Sequence, residues 1–193
     1  MPLHLRYYGD PILQTRCKEV EEITPEIREL VSQMIKTMDA HGGCGLAAPQ
    51  VGHLIRLFIT NVEGVDKNGY VIYGTPRGYV NPVVTSFSTR EWEMTEGCLS
   101  LPYVKKGRVQ KKNHIGVDGI KRPWAISIEA TDLDGKVIKQ ELEGFPARNF
   151  LHELDHLNGV MIVDRCSPDV KKTIEPFLEE LKAFQKSSSS EAN

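Results

Sequence analysis

His152-Glu153-Leu154-Asp155-His156 sets two imidazoles four residues apart with a carboxylate beside the first. On a helix, residues at that spacing share one face, with Cβ atoms about 5–6 Å apart. Both rings can then close on a single cation, at about 2.0–2.1 Å if it is Zn²⁺. Glu153 falls next to that cation without having to ligate it, where it can take a proton from an attacking water. Phe150, Leu151, Leu154 and Leu157 make the surrounding helix apolar on much of its circumference, which predicts burial. Buried imidazoles and carboxylates need partners, because unpaired polar groups are costly to desolvate. One cation would satisfy all three groups, so the stretch predicts a buried, hydrolytic metal-site helix rather than a surface helix with incidental histidines.

Working outward, Pro146 opens this helix and Asn158-Gly159 stops it. Ile126–Leu133 alternates apolar and polar residues, and Asp134-Gly135 then turns the chain into Lys136–Leu142, which predicts a hairpin. Leu54–Thr60 and Tyr79–Val84 read as strands, the second interrupted at Asn81-Pro82. Thr24-Pro25-Glu26 supplies a capping hydroxyl, a first-turn proline and an acid. Ile27, Leu30, Val31, Met34, Ile35 and Met38 then form one helical stripe that ends near Gly42-Gly43. Ser167-Pro168-Asp169 starts a last helix, inside which Pro176 predicts a kink or a division. The order of elements predicts an α+β fold, with mixed or antiparallel sheets packed around the central HExxH helix and flanked by N- and C-terminal helices. Residues 1–186 read as one domain, and the serine run from 187 to the end at 193 reads as a disordered tail.

Composition narrows the function classes. A formal charge of -2 argues against nucleic acid as the primary ligand. Lys105-Lys106-Gly107-Arg108 with Lys111-Lys112 is the one basic cluster, and it reads as a solvated loop. Cysteines 17, 44, 98 and 166 form no CxxC pair. The N-terminus shows neither a signal-peptide run nor an Arg/Ser-rich presequence, and no segment approaches the ~18 apolar residues of a membrane span. These features predict a cytoplasmic protein with reduced thiols and no membrane partner.

Two histidines leave a tetrahedral site short of a ligand. Cys98, in the Gly-flanked turn Glu96-Gly97-Cys98-Leu99-Ser100, is the best candidate for the third. A Cys-His-His set leaves one position open, as catalytic sites do. Cys17 and Cys166 read as small buried hydrophobes. Gly43-Cys44-Gly45-Leu46-Ala47-Ala48-Pro49-Gln50 is a compact, small-residue segment whose Gln50 amide could donate to a developing oxyanion.

Together, GCGLAAPQ at 43–50, EGCLS at 96–100 and HELDH at 152–156 resemble the peptide deformylases, which carry these motifs in the same order. The resemblance extends from about residue 5 to 165. It implies that Cys98, His152 and His156 hold one divalent metal ion, Fe²⁺ in the cell and Zn²⁺, Ni²⁺ or Co²⁺ in preparations. It implies Glu153 as general base and then acid, with Gln50 and the Leu99 N–H as oxyanion donors. Cys44, Gly45 and Asn149 would line the substrate side. The substrate would be the N-formyl-methionyl end of a nascent polypeptide, released as formate and a free amine by a monomer with a transient ribosome contact and no nucleic-acid readout.

Four departures accompany the resemblance. Cys44 stands in place of Val or Ile, Leu151 in place of a glutamine, and Asn149 in place of an apolar residue. About a dozen residues around 104–119 are inserted before Ile120-Lys121-Arg122-Pro123. Arg122 reads either as a buried partner of Glu96 or as an exposed arginine. Two other readings are an HExxH zinc peptidase, with Asp164, Asp169 or a last-helix glutamate as third ligand, and a metal-stabilised binding module without turnover.

Overall fold

The computed structural model describes residues 3–190. Its helices are α1 (Pro25–His41), α2 (Gly144–Leu157) and α3 (Pro168–Ser190). Nine strands accompany them: β1 (Gly45–Ala47), β2 (Leu57–Val65), β3 (Val71–Phe87), β4 (Glu91–Glu96), β5 (Pro102–Lys105), β6 (Arg108–His114), β7 (Val117–Pro123), β8 (Ala125–Thr131) and β9 (Val137–Glu143). Five form one sheet in the order β1-β2-β3-β8-β9, while β4–β7 and β5–β6 are separate two-stranded ribbons. Every strand pair is antiparallel, so the expected α+β class holds without a mixed sheet.

The apolar run Leu57-Phe58-Ile59 has a simple cause. Successive strand side chains point to opposite faces, and both faces of β2 are covered. Leu57 and Ile59 join Leu30, Val31, Met34 and Met38 of α1. Phe58 joins Tyr79, Ile126, Ile128 and Phe150 of α2. Its ring meets Phe150 edge-on, with centroids 4.9 Å apart. A third cluster sets Ile174, Leu178 and Leu181 of α3 against Leu101, Ile115, Val117 and Ile120.

The Ile126–Leu142 hairpin forms in register, Thr131 pairing with Val137 across the turn. At Asn81 the strand reaches φ 51°, and its amide both donates to Val20 O and accepts from Val20 N. That double bond holds the interruption foreseen at Asn81-Pro82. Beyond α2, Gly159 takes φ 72°, and a Cβ there would lie 2.7 Å from Gln14 O, so the stop requires glycine.

Three expectations are corrected. Thr24 precedes α1 but its side chain makes no cap bond. Of the kink or division expected at Pro176, the division does not occur, because α3 runs as one helix. Pro176 and Lys172 are both exposed, so the carbonyl deprived of its N–H partner can meet solvent. The tail expected from 187 is helical as far as Ser190, while residues 191–193 lie outside the described part.

Candidate active site

α2 runs beneath the sheet, where Phe150 and Leu157 bury it, and this forces His152, Glu153 and His156 into the interior. Cys98 arrives from the turn between β4 and β5. Leu101 N donates to Cys98 O at 2.9 Å, and Ser100 N points at Cys98 Sγ at 3.4 Å. The result is a buried triad whose ligand atoms on Cys98, His152 and His156 all lie within 4.8 Å of one another. Cys98 Sγ is 3.2 Å from His156 Nε2. A cation bonding sulfur at about 2.3 Å and nitrogen at about 2.0–2.1 Å accepts donors at such separations.

Glu96 organises the surroundings. Its carboxylate accepts from Arg122 Nε at 2.6 Å and Nη2 at 2.8 Å, and from Arg148 Nη1 at 2.6 Å. His152 Nδ1 lies 3.0 Å from Glu96 Oε2. That bond fixes the ring and leaves the opposite nitrogen to face the thiol. Arg122 also donates to Asp155 Oδ2 at 2.9 Å, and Arg165 forks onto both oxygens of Asp155. Burial opposes ionisation of Glu96, but donors from Arg122 and His152 outweigh it and hold the carboxyl far below its ordinary range. Burial also pulls His152 down, yet its bonds to Cys98 and Glu96 raise it well above the usual imidazole value. His156 goes the other way, pushed down first by burial and then by charge at His152.

Glu153 is 3% exposed, and burial pushes its carboxyl up to about 7. Its Oε2 is buried without a hydrogen-bond partner among the described residues, as is His156 Nδ1. Gly45 of β1 lies against it, and a Cβ there would sit 2.8 Å from Glu153 Cδ. An orphaned carboxylate oxygen beside a Cys-His-His triad fits a site built for a cation and a reacting water.

The triad faces a cavity of about 270 Å³ whose lining includes Cys44, Gly45, Gln50, Leu99, Asn149 and Glu153. All nine residues singled out from the sequence are therefore at this site: His156 through the triad, and Cys98 and His152 through triad and cavity alike. Ala47 N donates to Gln50 Oε1 at 2.8 Å, which turns Gln50 Nε2 towards Ser100 Oγ at 3.1 Å and Cys98 Sγ at 3.5 Å. Asn149 Nδ2 donates to Cys44 O at 3.0 Å, tying α2 to the segment before β1. Asp164, the alternative third ligand, instead accepts from Met161 N at 3.0 Å.

The sequence profile described as polypeptide deformylase matches residues 2–172. The chain belongs to the polypeptide deformylase family. This deformylase is 37% identical over 171 residues to the peptide deformylase of Dictyoglomus thermophilum, covering 89% of this chain and 97% of that one. It is also 37% identical over 180 residues to the chloroplastic peptide deformylase 1B of rice; that match takes in 93% of this chain but 61% of the rice protein's length. The crystal structure of the Thermotoga maritima peptide deformylase aligns at a TM-score of 0.74 and 35% identity, over 87% of this chain and 99% of that one. The deformylase is thus an α+β metallohydrolase with a Cys98/His152/His156 candidate metal site.

Sequence reasoning missed three members of the deformylase's charge network: Arg148, Asp155 and Arg165. Arg148 carried a usable signal, being the one charged residue in the largely apolar stretch Phe145 to Leu151, where burial requires a counter-charge. Asp155 stood inside the HELDH motif but had no visible partner. Arg122 proves buried, and the inserted segment is the β5–β6 hairpin and its exit rather than an irregular loop.

Proposed function

We propose that the site hydrolyses the N-formyl group of the N-terminal formyl-methionine on newly made polypeptides, releasing formate. One observation carries the reading: Glu153 Oε2 is buried and unpartnered next to the three-ligand cluster and the cavity that holds Gln50. Cys98, His152 and His156 would hold one divalent cation, Fe²⁺ in the cell. When bound, the cation acts as a Lewis acid, bringing the pKa of water towards ~7 and polarising the formyl carbonyl.

The chain's own groups do the rest. Glu153, its carboxyl already raised by burial, takes the proton of the attacking water and passes it to the amine nitrogen as the C–N bond breaks. Gln50 Nε2, held by the Ala47 contact, and the Leu99 N–H stabilise the tetrahedral oxyanion. Cys44, Gly45 and Asn149 bound the cavity around the methionyl end, and Gly45 leaves room for the base. In this reading residues 1–186 form one catalytic domain, active as a monomer because one chain builds the entire site. Four free thiols support a reducing, cytoplasmic setting, where the substrate is met at the ribosome.

The test is formate release from formyl-Met-Ala-Ser before and after chelation, with Fe²⁺ or Ni²⁺ added back under argon. Chelator-sensitive, metal-restored formate release supports the assignment. Cleavage of internal peptide bonds instead, followed by mass spectrometry, would make the protein a peptidase.

A further inference from the structure

The hairpin β5–β6 concentrates charge in a way the catalytic reading leaves unused. Residues 103–114 contain five cations, Lys105, Lys106, Arg108, Lys111 and Lys112, and no carboxylate, in a chain whose formal charge is -2. All five are exposed, and none forms an ion pair among the described residues. Lys105 and Arg108 are direct cross-strand partners, and like charges placed opposite one another are destabilising. The tight turn between them puts Lys106 at φ 51° and Gly107 at φ 68°. The fold therefore holds a self-repelling cluster on a stiff two-residue turn, with no internal anion to relieve it.

The hairpin is also fixed relative to the catalytic cavity. Its base begins four residues after Cys98, His114 pairs with Pro102, and His114 itself lines the cavity. Tyr103 packs edge-on against Phe177 of α3, with centroids 5.3 Å apart. The basic end thus projects from a rigid base beside the mouth of the site.

We propose that this hairpin docks the enzyme on the phosphate backbone of structured RNA, without sequence readout, so that the cavity faces a newly made chain. The inference rests on the nascent-chain reading above, because such a substrate emerges from an RNA-rich particle. A lipid surface suits the hairpin less well. The turn residues Lys105 to Arg108 include no apolar side chain to insert, and Val104 and Val109, the next pair in from the turn, are half-buried.

The test uses the metal-loaded protein and a fluorescent 20-base-pair RNA duplex, titrated from 50 to 200 mM salt. Each phosphate contact contributes about -0.7 to -0.9 to the slope of log K against log salt, so five give about -3.5 to -4.5, roughly a 100- to 500-fold weakening across that range. Neutralising the cluster (Lys105→Ser, Lys106→Asn, Arg108→Ser, Lys111→Ser, Lys112→Ser) should cost at least tenfold in affinity at 50 mM and flatten the slope. The charge-preserving set (each lysine→Arg, Arg108→Lys) should bind as the parent does. Lys171→Ser with Lys172→Ser, which removes charge from α3, should change affinity less than twofold. Formate release from a tripeptide, measured without RNA, reads the catalytic assignment separately and should be equal in all variants. The proposal is overturned by salt-insensitive or undetectable RNA binding, by equal loss in the α3 control, by loss in the charge-preserving set, or by tighter binding to 30% phosphatidylserine vesicles than to RNA.

Discussion

In the proposed mechanism, turnover depends on Glu153. Positioned general acid–base groups typically contribute 10²–10⁴-fold. Glu153→Gln should therefore keep the metal, measured by elemental analysis, while formate release falls by about that factor. An active Glu153→Gln variant would remove the residue from the mechanism. Its neighbour Gly45 is required by contact rather than by backbone conformation. A methyl group 2.8 Å from the Glu153 carboxyl carbon must displace the side chain. Gly45→Ala should lower kcat at least tenfold with the metal retained, and unchanged kcat would show that the carboxylate has slack. The sequence revealed the identity of these groups but not their closeness, since a glycine's neighbour 108 positions away leaves no local trace.

Between elements, Arg122 joins β7, β4 and α2 by reaching Glu96 and Asp155 at once. Removing one partner of a buried ion pair typically costs 3–5 kcal/mol because an uncompensated charge stays behind. Urea unfolding of Arg122→Ala should show a loss of about that size, although Arg148 and Arg165 remain as donors. A loss below about 1 kcal/mol would mean that water replaces the guanidinium. α3 offers the opposite case. Pro176 lies mid-helix, where proline costs about 3 kcal/mol relative to alanine. Pro176→Ala should therefore raise stability by about 1–3 kcal/mol and leave activity alone, checked by thermal melting and formate release. Proline made the sequence suggest a break here because periodicity cannot report whether the orphaned carbonyl faces solvent. The β8–β9 hairpin was legible for the converse reason: alternation and Asp134-Gly135 act within a few residues of each other.

For the whole molecule, the two buried glutamates set opposite pH limits on the metal-free protein. Glu96 has a lowered native pKa, so its stabilisation is present above the unfolded carboxyl value and is lost as pH falls. Glu153 has a native pKa near 7, so the native state holds a proton the unfolded chain has released, and stability drops as pH rises from about 4.5 to 7. Melting temperatures of chelated protein should show that decline, and Glu153→Gln should abolish it. A parallel pH profile in the variant would assign the decline elsewhere. At this scale the sequence disclosed the parts of the candidate site and the class of fold, since three spaced motifs and a helical stripe are local patterns. The links from Arg148 to Glu96 and from Arg122 to Asp155 stayed hidden because they form only once the ribbon β4–β7 lies across α2.

Cys98 and His156, 58 residues apart, come from a turn and a helix that have no bond in common until the tertiary structure closes. During synthesis the thiol leaves the ribosome long before either imidazole, so no chelating pocket exists while the chain is still growing through 156. Cofactor loading is thereby a late checkpoint, and the enzyme must itself have been made and folded past His156 before it can process another newborn chain.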